Sequence, residues 1–372
     1  MQSLRITTVS SSLGAGGAER QLLFLSAWLA ERGATVTVLT LDPDTPDFYT
    51  VPPGVERVRA GRTAYADCRW SDLPGQWRRR RALRRAILDT RPDLVISFCD
   101  TTNIRVLSAL GWSRIPAIVS ERIDPRHYPL GWRWNLLRRL FYPRAAQVVL
   151  VARETLPWAQ AFRPRWKVRA IPNPVPAPPT RKYDVPAWYH AQNIVAMGRL
   201  VSQKGFDLLL RAFAPLAAEF PEWALTILGE GPMECELRSL AGRLGIRDRV
   251  YLPGSVPDPY GPFRHADVFV LSSRFEGFPN ALTEAMACGL ACVSFDCPSG
   301  PGTIIRHGQD GLLVPAEDVE AMTEVLRSLL RSPEERARLG ERAREAVGRF
   351  SVETVMGQWA GCIADVLPKA AA

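Results

Sequence analysis

Five prolines fall within residues 172–179, in the run Ile171-Pro172-Asn173-Pro174-Val175-Pro176-Ala177-Pro178-Pro179. Proline lacks an amide proton and fixes φ, so this run enters neither a helix interior nor a central strand. It predicts an extended linker near the middle of a 372-residue chain, leaving two halves of ordinary domain length. On both sides, short apolar runs alternate with amphipathic stretches. Residues 4–9, 36–41, 94–98, 117–119 and 148–151 read as buried strands, as do 194–197, 225–228, 250–252, 268–271 and 292–295. Helical patterns lie between them at 18–32 and 77–88, then at 206–220, 233–244, 281–288 and 319–330. Continuously apolar strands separated by helices predict an α/β fold with a doubly wound parallel sheet in each half. The expected organisation is an N-terminal domain at 1–171, a linker at 172–180, a C-terminal domain at 181–350 and a last helix at 351–372 packing back toward the N-terminal domain. Such sheets bind ligands beyond the carboxyl ends of their strands, so the two domains are expected to face a central cleft.

Charge narrows the partners. The net charge is +9, but residues through Thr180 hold 27 Lys and Arg against 14 Asp and Glu, a net +13, and the rest is −4. The first half should therefore meet an anion such as phosphate or a lipid headgroup. Nucleic acid is not expected, because no helix-turn-helix, zinc-finger or RNP pattern accompanies the charge. Seven cysteines without a C-x-x-C pair suit reduced thiols in cytoplasm. The gaps between Cys288, Cys292 and Cys297 fit no zinc site. No apolar run approaches the roughly 20 residues of a membrane span, and the start, Met1-Gln2-Ser3-Leu4-Arg5-Ile6, does not read as a secretion leader.

Three segments carry candidate chemistry. In Leu13-Gly14-Ala15-Gly16-Gly17-Ala18-Glu19-Arg20, Gly16 and Gly17 would let helix-start amides approach a phosphate; a tight turn without ligand is the alternative. Glu19 stands where a dinucleotide fingerprint needs glycine, and no Gly-Lys-Ser/Thr follows for a P-loop. In Met197-Gly198-Arg199-Leu200-Val201-Ser202-Gln203-Lys204-Gly205, the Arg199 fork and the Lys204 point charge suit a diphosphate whose charge grows as its bond to a sugar breaks. Solvated surface cations are the alternative there. In the stretch from Ser272 to Gly289, Glu276 and Glu284 lie eight residues apart. Pro279-Asn280 suits a helix start and Cys288-Gly289 its end. One carboxylate then sits in the turn and one in the helix, placed to accept bonds from sugar and ribose hydroxyls. Val268–Leu271 and residues 281–286 are too apolar for a solvated excursion.

Glu276 and Glu284, with Gly277-Phe278-Pro279-Asn280 between them, resemble the E-x7-E signature of retaining nucleotide-sugar glycosyltransferases of family 4, which have the GT-B fold. The resemblance extends to Gly16–Arg20, Ser120-Glu121-Arg122-Ile123-Asp124-Pro125, Pro172-Asn173-Pro174, Gly198-Arg199, Lys204-Gly205, Gly229-Glu230-Gly231-Pro232 and Phe295-Asp296-Cys297-Pro298-Ser299-Gly300-Pro301. The last of these and the Ser120–Pro125 block are most similar to the bacterial exopolysaccharide and lipopolysaccharide subgroup.

The resemblance implies roles for these residues. Arg199 and Lys204 hold the diphosphate in place of a metal, Glu284 holds the ribose, and Glu276 with the Gly277–Asn280 amides holds the donor sugar and its phosphates. Gly229 and Gly231 pass near the nucleotide, while Gly16 and Gly17 close the site. No cofactor is expected beyond a UDP- or GDP-sugar as co-substrate, and the acceptor is a glycan or a lipid-diphosphate-linked saccharide. A 2-epimerase of the same architecture and a non-catalytic nucleotide-sugar binder are the alternatives. Where many family members carry an acceptor-side His, this chain has Ser120-Glu121-Arg122. Glu121 or Arg122 is expected to serve there, with a core-satisfying role for Glu121 as the alternative. None of His127, His190, His265 and His307 is assigned a catalytic role. Asp42-Pro43-Asp44, which mimics a metal-binding D-x-D, reads as incidental.

Two basic segments remain. Residues 77–88 place Arg around Leu83, Ile87 and Leu88 and read as a crossover helix with a solvated basic face. Residues 132–142 place Leu136, Leu137, Leu140 and Phe141 at helical spacing with Arg138, Arg139 and two Trp nearby. That pattern suits a helix lying on the anionic inner face of a membrane.

Overall fold

The computed structural model describes residues 3–42, 44–61, 73–111, 113–128, 130–162, 167–184, 189 and 192–367. The chain divides into two compact units, one of Met1–Pro174 with Glu353–Ala372, the other of Val175–Val352.

The first unit is built on a seven-stranded sheet in the order β3-β2-β1-β4-β5-β6-β7. Its strands are β1 (Arg5–Ser10), β2 (Thr35–Thr40), β3 (Val55–Arg59), β4 (Leu94–Phe98), β5 (Ala117–Glu121), β6 (Gln147–Leu150) and β7 (Val168–Ala170). Every pairing is parallel. The connecting helices are α1 (Gly17–Glu31), α2 (Leu73–Asp89), α3 (Asp100–Leu110), α4 (Gly131–Phe141) and α5 (Leu156–Phe162). β4 and β5 are buried at every position, as expected of central strands covered on both faces.

The second unit repeats the plan with six strands in the order β10-β9-β8-β11-β12-β13. These are β8 (Gln192–Met197), β9 (Trp223–Leu228), β10 (Val250–Gly254), β11 (Val268–Leu271), β12 (Ala291–Asp296) and β13 (Leu312–Pro315). Its helices are α6 (Phe206–Glu219), α7 (Glu234–Arg243), α8 (Tyr260–Arg264), α9 (Asn280–Cys288), α10 (Pro301–Ile304), α11 (Val319–Arg331) and α12 (Pro333–Val347). The last two start on side-chain caps, Asp318 accepting from Ala321 N and Ser332 accepting from Glu335 N. The final helix, α13 (Val352–Val366), belongs to the first unit, where Trp359 stacks on Phe98 with ring centroids 6.0 Å apart. Each sheet reverses its strand order once, beside β1 and β4 in the first and β8 and β11 in the second. The turns leaving those strands are where open α/β sheets hold ligands.

Candidate functional site

In the second unit, the turns after β8 and β11 meet. Lys204 ends a short 3-10 turn, Ser202–Lys204, and its Nζ donates to Glu276 Oε1 at 2.6 Å. Ser273 Oγ donates to the same oxygen at 2.6 Å. Glu276 is buried, and its carboxylate faces one ammonium and one hydroxyl. Behind it, the Cys297 thiol is pushed up to about 12 by burial, with the Glu276 charge adding to the shift. Arg199, on the same β8 turn, is exposed while its neighbour Leu200 is fully buried, so the backbone is anchored and the guanidinium projects to solvent.

α9 begins at Asn280 and ends at Cys288, where Gly289 adopts the left-handed conformation (φ +79). Leu282 N and Thr283 N donate to Pro279 O at 3.1 and 3.3 Å, and the helix N-terminus carries partial positive charge. Glu284 lies one turn inside and is buried. Gly277, Phe278 and Pro279 are buried in the turn ahead of it. The Phe278 ring packs edge-on against Phe350, centroids 5.3 Å apart. Its side chain is therefore a core anchor.

Gly229 and Gly231 stand where two turns pack at close range. A Cβ on Gly229 (φ +142) would lie 1.9 Å from Gly198 O, and one on Gly231 would lie 2.5 Å from Leu200 O. Their absence of side chain lets the turn after β9 knit to the Arg199 loop, through Gly198 N to Leu228 O (2.9 Å) and Leu200 N to Glu230 O (2.8 Å). Both glycines support the loop that carries the cations.

Sequence reasoning gave no role to Arg274. Its guanidinium donates to both Asp207 oxygens (2.9 and 2.8 Å), to Ser202 O (2.6 Å) and to Glu317 Oε2 (3.0 Å). It ties the Lys204 turn to the first turn of α6. Gln203 Nε2 adds a bond to Phe275 O at 2.9 Å. An Arg two residues before Glu276 was the only sequence signal for this clamp.

In the first unit, Gly16 precedes α1, and a Cβ there would lie 1.9 Å from Glu19 Oε2. The Glu19 carboxylate therefore lies against Gly16 at the helix start, and Gly17 beside it is exposed. Cys99, between β4 and α3, holds φ +73, a strained value for a non-glycine residue of the kind that gathers at functional turns. Arg122, just after β5, lies 4.3 Å over the Phe98 ring. It donates to Ser120 Oγ at 3.2 Å and to Asn173 Oδ1. Burial pulls its guanidinium down to about 10, against the nearby Cys99 and Glu19.

Glu121 is not placed as an acceptor-side group. It is 1% exposed, pairs with Arg138 Nη2 at 3.2 Å and accepts from Tyr142 Oη. Asn103 extends the network to Tyr142 Oη (3.2 Å) and Ser120 O (3.0 Å). Burial raises the Glu121 carboxyl above its ordinary range despite Arg138. Its neighbour Arg122 keeps the place near the sheet edge; Glu121 satisfies the core.

Among the described residues, no three His, Cys, Asp or Glu side chains gather as a metal site requires. Asp42 accepts from Asp44 N (2.9 Å) and Thr45 N (3.3 Å), a local turn; Pro43 lies outside the described residues. His127 sits 3.1 Å from Asp124, and His307 Nδ1 accepts from Leu313 N at 3.0 Å. His190 lies outside the described residues.

Known proteins share both halves of this arrangement. Residues 15–177 match the family described as Glycosyltransferase Family 4 and residues 188–346 that described as Glycosyl transferases group 1. An exopolysaccharide phosphotransferase of Streptomyces coelicolor is 32% identical over 74% of this chain, and the chain spans only 29% of that relative's length. A Campylobacter jejuni α-1,4-N-acetyl-D-galactosaminyltransferase, named for an undecaprenol-diphosphate-linked acceptor, is 27% identical over 98% of this chain and 99% of its own. The solved structure of Anabaena HepE with UDP and glucose superposes with a TM-score of 0.79 at 18% identity, covering 97% of this chain and 99% of that one.

Proposed function

The chain belongs to the family 4 glycosyltransferases of the GT-B fold, and on that footing we propose that it moves a sugar from a UDP- or GDP-sugar to a glycan or lipid-diphosphate-linked saccharide, with retention of configuration, in the assembly of a cell-surface polysaccharide. The observation that carries this reading is the Lys204–Glu276 pair at 2.6 Å, set ahead of the α9 start with Arg199 exposed on the adjoining loop. A departing diphosphate needs cations that strengthen their hold as charge develops. Lys204 and Arg199 supply them, the α9 amides add partial positive charge, and Glu284 accepts the ribose hydroxyls. Glu276 orients the donor sugar through Oε2, the oxygen it does not share with Lys204 and Ser273. Arg199, Lys204 and the α9 N-terminus are the groups that meet the growing negative charge, and on this reading transfer proceeds in chelator. The likeness to a protein solved with UDP, and to one named for a polyprenol-linked acceptor, supports both substrate classes.

The test is a thermal-shift panel of UDP-, GDP- and ADP-sugars followed by transfer and hydrolysis assays. A donor at 100 times its Kd raises stability by about 2.7 kcal/mol. Stabilisation by one donor and acceptor-dependent transfer are expected. Interconversion of the nucleotide sugar without acceptor would instead identify an epimerase, and transfer that stops on chelation would overturn the metal-free scheme.

Membrane attachment belongs to the same reading. α4 divides its apolar residues between two faces: Trp134, Leu137 and Phe141 pack on the core, while Trp132, Leu136 and Leu140 are 71, 57 and 55% exposed. Arg138 is inside the unit with Glu121, so the cations left at the surface of α4 are Arg133 and Arg139. Apolar side chains four residues apart, flanked by arginine, fit the interface of an anionic bilayer. No helix of the described residues is long and apolar enough to cross a membrane. Trp132→Ser with Leu136→Ser should abolish co-sedimentation with anionic vesicles; unchanged sedimentation would remove this attachment.

A further inference from the structure

A cavity of about 410 Å3 opens between α2 and α3, lined by Trp77, Arg80, Arg81, Arg84, Ala109 and Gly111. No carboxylate is among those residues. Arg84 is committed to structure: its Nη1 donates to Ala109 O (3.1 Å) and Leu110 O (2.6 Å), capping the end of α3. Arg80 and Arg81 have a different setting. Arg81 stacks over the Trp77 ring at 4.6 Å, and Trp77 is 57% exposed. Gly111, left-handed at φ +57, leaves room for Arg80, whose Nη2 would lie 3.1 Å from a Cβ there. Among the described lining residues, three guanidinium groups surround one cavity with no acid beside them, and Arg80 and Arg81, which do not share Arg84's capping bonds, favour an oxyanion taking several N–H bonds at once. An exposed Trp beside it suits the boundary between water and lipid.

Position separates this cavity from the transfer chemistry. It lies at the end of α3 opposite Cys99 and Arg122, roughly 16 Å along an 11-residue helix. α3 also packs on α4, where Arg105 lies 5.8 Å over Trp134, so the cavity shares a helical layer with the exposed Trp132, Leu136 and Leu140.

We propose that the cavity seats the phosphate of an anionic glycerophospholipid, giving the first unit a discrete headgroup site beside its apolar ridge. The proposal rests on the membrane reading above and adds a specific ligand class to it. Loose electrostatic attraction would weaken about fivefold per arginine removed, wherever on the helix it stood. A built site would not. The comparison is therefore between R80Q/R81Q and R78Q/R85Q, which remove equal charge from the same helix, inside and outside the cavity. Affinity is measured on vesicles of phosphatidylcholine with phosphatidylglycerol, and on phosphatidylcholine alone, at fixed ionic strength. R80Q/R81Q should bind the anionic vesicles at least about tenfold more weakly than R78Q/R85Q, and glycerol phosphate should displace wild type and R78Q/R85Q from the vesicles but leave the residual binding of R80Q/R81Q unchanged. Equal losses in the two doubles would overturn the site, as would glycerol phosphate acting no better than sulfate of equal charge. Transfer to a water-soluble acceptor is read in parallel. Its retention in R80Q/R81Q alongside weakened vesicle binding supports the site, whereas failure of wild type to transfer from any nucleotide-sugar donor defeats the proposed function and leaves the vesicle comparison to decide the cavity.

Discussion

Lys204 sits 2.6 Å from a buried carboxylate that also takes a bond from Ser273, so its position is set before any donor arrives. A bound diphosphate must draw the ammonium away from Glu276 or share it, and the two residues then act as one device. Lys204→Ala should lower kcat/KM by about 10²–10³, the usual cost of losing one preorganised charge donor. Glu276→Ala should cost as much, yet the double variant should lose far less than the product of the two. Multiplying losses in that cycle would mean that they work separately. Arg138 makes the contrasting case, since its partner Glu121 lies in the core. Removing one member of a buried pair leaves the other charge stranded, so Arg138→Ala should destabilise the chain by about 3–5 kcal/mol, and exposed Arg139→Ala by about 0.5 or less. Burial already raises the Glu121 carboxyl, and without Arg138 it rises further. The protonated form is the one the core tolerates, so the deficit should be largest near neutral pH and shrink as acid neutralises Glu121. Urea unfolding at several pH values reads this directly; a deficit that grows in acid would refute it.

The turn Ser202–Lys204 owes its shape to neighbouring elements. Arg274 clamps it to Asp207 in the first turn of α6. Burial pushes the Asp207 carboxyl up, but the paired bonds from Arg274 outweigh it, and the net shift is downward. A depressed carboxylate contributes stability above its unfolded value of about 3.9, and that contribution is lost as pH falls through the lower folded value. Asp207→Asn should remove this acid-side slope and raise donor KM as the Lys204 turn loosens. A slope identical to wild type would show that the clamp carries no linkage. Such clamps were not legible beforehand, because they join residues far apart in sequence. The central strands were, since β1, β2, β4, β8, β9, β11 and β12 are short runs rich in apolar and β-branched residues. β3, with the sequence VERVR, and three-residue β7 border the first sheet, where one side lacks a pairing partner and charge is tolerated. α3 carries Thr101 and Thr102 behind its opening Asp100, then Ile104 and Val106, residues of weak helix propensity, and forms because seven of its residues are buried. Pro279-Asn280 and Cys288-Gly289 announced the start and end of α9. By contrast, the single stripe expected on α4 separated into core and surface faces once Arg138 was drawn in by Glu121, a partner the helix sequence does not contain.

At the scale of the molecule, the first unit is completed only by the end of the chain, because residues 353–372 belong to it although 178 residues of the second unit, Val175–Val352, intervene. α13 contributes Val355, Met356, Trp359, Cys362 and Ile363, all buried to 2% exposure or less, and Arg169 pairs with Asp365 beside them. Such non-local closure is slow and costly in loop entropy, so the burial on α13 has to be substantial to hold. Trp359→Ala should destabilise the first unit by about 3–5 kcal/mol, the range for losing a large buried aromatic. A chain ending at Ser351 should lose that unit's cooperative melting altogether. The second unit has its own core around Ile194, Phe213, Trp223, Val293 and Leu326, and Arg199, Lys204, Glu276 and Glu284 all lie within it. The truncated chain should therefore keep one calorimetric transition that a nucleotide-sugar donor still raises, while transfer to acceptor disappears. If the donor no longer stabilises that remaining transition, the second unit does not suffice to hold the nucleotide, and the roles proposed for those four residues fail with it.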